Sequence, residues 1–195
     1  MLLAMESKKY DSCYNWFESE IKIVNLNKFE MVRSSYELSQ KNLEDYSALF
    51  IGGGNTYKLL SEIKQYDNYG KIETYLKKGG IVFGGSAGAI IFGKDINGCL
   101  LDDKNIVNLE NTNGFNYLKG YSLLCHLKNK NFNKNKKYLE EYSKSNKLIY
   151  LPEDNVILID NDKISIIGTS KYALFENGNY VFHNYANLKK DMSSK

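Results

Sequence analysis

The chain has 195 residues, with 26 Lys or Arg against 23 Asp or Glu, so its formal net charge is +3. This length is typical of one domain with a full hydrophobic core, and we expect a single domain over residues 1–195. The near balance of charges argues against a nucleic-acid partner. No apolar run approaches membrane-spanning length, and the first four residues, MLLA, are too short for a signal peptide. We therefore expect a cytoplasmic protein with no membrane partner.

The three cysteines do not predict a disulfide framework or a zinc site. Cys13, Cys99 and Cys125 are odd in number and widely spaced. The basic residues are nearly all lysines, and Arg33 is the single arginine. We interpret this as a compositional bias and not as a binding patch.

Apolar periodicity predicts alternating helices and strands along the first three quarters of the chain. We expect helices at 8–20, 38–43, 56–65, 72–78 and 136–143, and strands at 21–26, 48–51, 81–83, 121–125 and 148–151. In the last quarter, Asn-Asp and Asn-Gly turns separate short apolar runs at 155–159, 163–167 and 180–183, which predicts antiparallel hairpins. The predicted fold is α/β, a mostly parallel sheet sandwiched by helices, with C-terminal antiparallel β hairpins.

Residues 84–88, GGSAG, match the G-x-S-x-G pattern of a nucleophile elbow. Apolar runs lie on both sides, so the pattern has the strand–turn–helix setting that an elbow requires. The flanking glycines let the chain pack closely around a strained turn and keep the Ser86 hydroxyl exposed. A helix that begins after Ser86 would direct N–H groups and its positive dipole end at a developing negative charge. A glycine-rich turn without chemistry is the alternative.

A second glycine cluster, GGGNT at 52–56, also stands between a predicted strand and a predicted helix. The carboxyl ends of parallel strands form the active-site edge of an α/β sheet. An amide of Gly53 or Gly54, together with that of Ala87, would make a two-donor oxyanion hole. A phosphate-binding loop is the competing use, but neither G-x-x-x-x-G-K-[ST] nor G-x-G-x-x-G is present. Asn55 is expected either to bind substrate or to cap the helix.

These two glycine motifs, GGGNT at 52–56 and GSAGA at 85–89, together resemble the peptidase E family. This is the dipeptidase E and cyanophycinase group of serine peptidases. The resemblance extends from about residue 3 to about residue 168. It implies a class I glutamine amidotransferase-like fold and hydrolysis of a small peptide substrate through an acyl enzyme. No metal or organic cofactor is implied.

The serine needs a base, and the chain has only two histidines. His126 follows the predicted strand at 121–125, at the carboxyl end where Ser86 is also expected. It resembles the histidine of the family. His183 ends a late hairpin strand, and we expect it to be structural.

The third member of the triad should be an acid that orients the imidazole. Glu153 follows the predicted strand at 148–151 and resembles the acidic residue of the family's Ser-His-Glu triad. Asp154 is the alternative acid, or else a turn-former. The order Ser, His, acid differs from the order Ser, acid, His of the α/β-hydrolases, which favours the amidotransferase-like sheet.

Two departures from the family leave the substrate open. Aspartyl dipeptidases of this group carry an arginine after the histidine, suited to binding a substrate carboxylate. Here the basic residues of 127–142 are all lysines, including Lys136 and Lys137. Gly85 replaces an aromatic residue and opens the pocket wall. Preference for N-terminal Asp dipeptides is therefore a hypothesis. The alternatives are a cyanophycinase-like isopeptide hydrolase and a non-catalytic binding protein on the same fold.

Family members usually begin with a central strand of the sheet, whereas here the predicted helix at 8–20 follows almost at once. We expect either a short strand at residues 1–4 or a sheet that is abbreviated at the start of the chain. A truncated edge or gap exposes unpaired backbone groups and would favour a homodimer or instability.

Overall fold

A computed structural model describes residues 2–3, 10–22, 29–161 and 163–184. The chain divides into two compact units, residues 1–89 with 103–111 and residues 90–102 with 112–195. Each unit has a four-stranded sheet of its own. The expected number of domains stays a prediction.

The first unit is built on a fully parallel sheet. Its strands are β1 (Leu2–Leu3), β2 (Met31–Val32), β3 (Ala48–Ile51) and β4 (Ile81–Gly84), and the helices are α1 (Tyr10–Ile21), α2 (Ser35–Ser39), α3 (Thr56–Ile63) and α4 (Asn68–Lys77), with α5 (Ala87–Ile90) following β4. The strand order is β2-β1-β3-β4. Ile51 pairs with Gly84, so β3 and β4 end at the same edge of the sheet. The two glycine motifs therefore begin side by side.

The second unit has a mixed sheet and a separate hairpin. Its elements are β5 (Tyr121–Leu124), α6 (Asn129–Tyr142), β6 (Lys147–Tyr150), β7 (Asn155–Asp160), β8 (Lys163–Gly168), β9 (Tyr172–Glu176) and β10 (Asn179–His183). The sheet order is β10-β9-β6-β5, in which β5 and β6 are parallel while β9 and β10 are antiparallel to their neighbours. Strands β7 and β8 form an antiparallel hairpin of their own. The predicted C-terminal antiparallel hairpins are thus confirmed, as is the α/β class.

The core of the first unit follows from alternation in β3 and helical spacing in α3. Leu49 and Ile51 are fully buried, and so are Leu60 and Ile63. Burial of a side chain of this size stabilises the fold by about 1.5–3 kcal/mol. Of the helices in the described residues, none has the length and apolar character needed to cross a membrane.

The predictions near the amino terminus were partly wrong. Ile21, predicted to begin a strand, instead ends α1, and residues 23–26 of that predicted strand lie outside the described residues. The helix expected at 38–43 is α2, which begins earlier because the Ser34 hydroxyl caps it by accepting the Glu37 N–H at 3.1 Å. Strand β2 has two residues, too few for an alternating pattern to be recognised.

Two elements of the second unit were also missed in part. Helix α6 begins at Asn129, seven residues before the predicted start at Lys136. The prediction missed these first turns because they are rich in Asn and Lys and because only Phe132, Asn135 and Leu139 are buried along the helix. Strand β9 was not predicted. It is buried at four consecutive positions and so lacks the alternation of a strand with one exposed face.

Candidate active site

Ser86 stands on the tight turn between β4 and α5 and has the backbone of a nucleophile elbow. Its φ is +53°, a left-handed conformation that is uncommon outside glycine. Nine non-glycine residues of the described part have positive φ, and five of them are Asn or Asp, which tolerate it. Ser86 is not of that kind, so the conformation is strained by about 1–3 kcal/mol. Such strain is typical of functional turns.

Close packing against β3 requires the glycines around Ser86. A Cβ on Gly88 would lie 2.8 Å from the Gly52 carbonyl oxygen and closer still to that of Ile51. A Cβ on Gly84 would collide with the backbone of Gly88. The Gly85 N–H donates to the Ile51 carbonyl at 2.9 Å. The backbone at the end of β3 therefore holds the elbow in place, and there is no room for a side chain at Gly84 or Gly88.

The loop after β3 lies directly beside the serine side chain. A Cβ on Gly53 would be 3.2 Å from Ser86 Cβ and 3.7 Å from Ser86 Oγ. Gly54 has φ of +134°, which favours glycine. Backbone groups can approach the hydroxyl here without obstruction, as a donor of an oxyanion hole must. Helix α5 has only four residues, so any stabilisation from it comes from individual N–H groups such as that of Ala87.

Asn55 is the N-cap of α3. Its Oδ1 accepts the Lys58 N–H at 3.0 Å, and its Nδ2 donates to the Lys104 carbonyl at 2.8 Å. The next residue, Thr56, donates from both its N–H and its hydroxyl to Asp103 Oδ2. The capping role considered for Asn55 is confirmed, and its role in binding substrate stays a prediction.

In the second unit, His126 and Glu153 lie within hydrogen-bond distance. They follow the paired strands β5 and β6, and His126 Nδ1 is 3.2 Å from Glu153 Oε1. The carboxylate accepts, so Nδ1 holds the proton and Nε2 is left as the basic nitrogen. His126 also has a positive φ, +65°. The backbone beyond it is fixed, because the Leu127 N–H donates to the Leu151 carbonyl at 3.0 Å.

A lysine that sequence reasoning did not single out contacts the same carboxylate. Lys128 Nζ is 2.9 Å from Glu153 Oε1. The hydrogen bonds from Lys128 and, to a smaller extent, His126 hold the pKa of Glu153 below its usual value. The signal that could have found Lys128 is its position two residues after His126, where the chain turns from β5 into α6.

Asp154 points to other partners. Its Oδ2 accepts hydrogen bonds from the hydroxyls of Ser170 at 2.6 Å and Thr169 at 2.5 Å. These bonds lower the pKa of Asp154. The side chain fastens the turn before β7 to the loop before β9, as the alternative of a turn-former predicted, and Glu153 is the acid that contacts His126.

A cavity of about 530 Å³ lies beside Glu153. Its apolar wall is formed by Leu127, Phe132, Pro152 and Phe182. Lys128 and Lys171 contribute its positive charge. A cavity of this size can hold an amino-acid residue.

The other chemically reactive side chains of the second unit serve the fold. The His183 ring stacks on Tyr172, with 5.6 Å between the ring centroids. Burial raises the pKa of the Cys125 thiol to about 12, so the thiol next to His126 is neutral and unreactive.

Comparison with known proteins is consistent with this fold. The pattern of peptidase family S51 matches residues 4–167. The chain therefore belongs to peptidase family S51, and it is a serine-type peptidase. No curated protein matches the chain.

Two solved structures with TM-scores above 0.5 share the fold at low sequence identity. A Listeria monocytogenes EGD-e protein assigned as a peptidase E has a TM-score of 0.62 and 22% identity, covering 87% of this chain and 98% of its own. A peptidase from an acI-B1 Actinobacterium has a TM-score of 0.68 and 16% identity, covering 94% of this chain and 83% of its own. A glutamine amidotransferase has a TM-score of 0.43 and 13% identity over 95% of this chain and 74% of its own.

Proposed function

We propose that the protein hydrolyses small peptides through a Ser86, His126 and Glu153 triad. The observation that carries the proposal is the contact of 3.2 Å between His126 Nδ1 and Glu153 Oε1, because it leaves Nε2 as a base. The strained elbow at Ser86 supplies the expected nucleophile.

The reaction is acyl transfer to the serine and then to water. His126 Nε2 takes the proton of Ser86 as Oγ attacks the peptide carbonyl. The resulting imidazolium, stabilised by Glu153, then protonates the leaving amine and so releases the first product. In the second half, His126 takes a proton from water as the water oxygen attacks the acyl carbonyl, and the imidazolium then gives that proton to Ser86 Oγ as the acid product leaves.

The negative charge that develops on the carbonyl oxygen needs fixed donors. We assign this role to the N–H groups of Ala87 and of Gly53 or Gly54. The close approach of the Gly53 backbone to Ser86 supports the assignment. Gly85 leaves room for the substrate, since a Cβ there would meet only ordinary contacts of 3.4 Å or more, chiefly with Phe50.

The substrate class we favour is a dipeptide, with N-terminal Asp as the hypothesis to be tested. Five lysines occupy residues 127–142. Of these, Lys128, Lys134 and Lys136 pair with acidic side chains of their own unit. Any replacement for the family's arginine would therefore come from Lys130 or Lys137, whose side chains have no ion-pair partner in the part of the chain that the structure describes.

The test is hydrolysis of a dipeptide panel, Asp-X, Glu-X, Asn-X and neutral-X, with wild type, Ser86→Ala and Ser19→Ala compared. Ser19 is an exposed serine on α1 and provides a matched control. We expect turnover in wild type and in Ser19→Ala, and none in Ser86→Ala. A fluorophosphonate should add its mass only to the peptide that contains Ser86.

The outcomes separate the alternatives. Equal efficiency on neutral and Asp-X dipeptides would refute the Asp preference alone. Full turnover by Ser86→Ala would refute the triad. A folded wild type without turnover or labelling would leave the non-catalytic binding role, and turnover of branched Asp-Arg polymer alone would favour the isopeptide hydrolase.

A further inference from the structure

We propose that Lys128 is a positioning residue that sets the pH range of the His126–Glu153 dyad by sharing its carboxylate oxygen. The inference rests on the proposed function. It starts from two donors on one acceptor atom, since Glu153 Oε1 is 2.9 Å from Lys128 Nζ and 3.2 Å from His126 Nδ1.

The backbone on both sides holds Lys128 in this place. Lys128 is the residue before α6, with extended φ and ψ of −136° and 153°, and its carbonyl accepts the Phe132 N–H at 2.8 Å. On the other side, the Leu127 N–H bonds the end of β6. The lysine therefore begins from a fixed Cα beside the dyad.

The shared oxygen has two electrostatic consequences. Lys128 keeps Glu153 ionised at lower pH, and its positive charge opposes formation of the imidazolium at His126, because two like charges then face one carboxylate. Lys128 thus acts on the base through its contact with Glu153 and not through the reacting atoms.

Of the groups around Glu153, Lys128 lowers the pKa of this carboxylate most. Asp154, from the same loop as Glu153, is bonded to two hydroxyls, and Lys171, from the loop before β9, lines the cavity but forms no ion pair within the described residues. Cys125, at the end of β5, is neutral.

The expected size of the effect is modest because the groups are accessible to solvent. The side chains of Lys128, Glu153 and His126 are 60%, 52% and 50% exposed. For exposed ion pairs of this kind we expect a shift of about 0.2–0.7 pH units.

The experiment measures the acidic limb of the kcat/KM profile for wild type, Lys128→Met, Lys128→Arg and Lys144→Met. Lys144 follows α6 in the same unit, is exposed and pairs with Glu141 at 2.6 Å, so it is the matched control. We expect the limb of Lys128→Met to move to higher pH by about 0.2–0.7 units, with Lys128→Arg and Lys144→Met close to wild type. An unchanged or lowered limb in Lys128→Met, or the same shift in Lys128→Arg, would overturn the proposal.

A second readout does not depend on turnover. The imidazole signals of the two histidines are followed by NMR against pH in Ser86→Ala and in the Ser86→Ala, Lys128→Met double variant, with His183 as the internal reference. We expect the midpoint of the His126 signal to rise in the double variant and that of His183 to stay. An unmoved His126 signal in a folded protein refutes the role of Lys128. A moved His126 signal together with a wild type that hydrolyses no peptide refutes only the peptidase mechanism.

Discussion

Gly88→Ala tests whether backbone packing against β3 fixes the nucleophile elbow. The new Cβ would lie 2.8 Å from the Gly52 carbonyl oxygen, whereas an ordinary contact is 3.4 Å or more. The elbow and β3 must therefore separate by at least about 0.6 Å, and by more at Ile51. The obstacle is backbone of a buried strand end, which cannot turn aside as a flexible side chain could.

The magnitude follows from this clash. Overpacking of this kind costs about 1–3 kcal/mol, and alanine recovers up to about 1 kcal/mol through its smaller chain entropy in the unfolded state. Because the clash is with rigid backbone, the upper end of the overpacking cost applies, and we expect a net loss of about 2 kcal/mol and, for a chain of this length, a Tm lower by about 4–8 °C. Because a displacement of about 1 Å at a catalytic group can cost about 10²-fold, kcat/KM should fall by a similar factor.

Gly85→Ala is the matched control, three residues earlier in the same turn. Its Cβ would meet Phe50 Cζ at 3.4 Å, an ordinary contact. We expect its Tm to stay within about 2 °C of wild type. Thermal unfolding followed by circular dichroism measures both variants. If Gly88→Ala were as stable as Gly85→Ala and as active as wild type, the packing argument would be refuted.

Three further predictions concern the acids and the cap. Glu153→Gln, which removes the charge facing His126, should lower kcat/KM by about 10²-fold or more, and normal kinetics would exclude Glu153 as the triad acid. Asn55→Ala should cost about 1–2 kcal/mol in unfolding experiments with KM unchanged, whereas a raised KM would support contact with substrate. The pKa of Asp154 is lowered in the folded chain, so its stabilising effect is present above the ordinary Asp range and lost as pH falls through the folded value. The Tm difference between wild type and Asp154→Asn should therefore be measurable near neutral pH and vanish once the pH falls below the lowered pKa of Asp154 in the folded chain.

Local sequence signals predicted the parts of the fold in which the chain determines its own conformation. Strand β3 has the predicted bounds, Ala48–Ile51, because an apolar run is ended by three glycines. The Asn177-Gly178 turn joins β9 to β10, and both residues have the positive φ that such turns need. Ser86 could be identified for the same reason, since its strain and its flanking glycines are properties of one short segment.

Elements that depend on distant partners could not be predicted so well. Strand β2 has two residues and is defined by its pairing with β1. The first turns of α6 are rich in Asn, a weak helix former, and burial of Phe132 and Asn135 compensates for this only in the folded unit.

The same division holds for the candidate site. The sequence by itself determined the elbow at Ser86 and narrowed the base and the acid to a few residues at strand ends. Only the tertiary structure decided that Glu153, and not Asp154, contacts His126, and that Lys128 shares the same oxygen. The physical reason is that adjacent acids differ in partners and not in local pattern, and those partners come from strands and loops far apart in the chain.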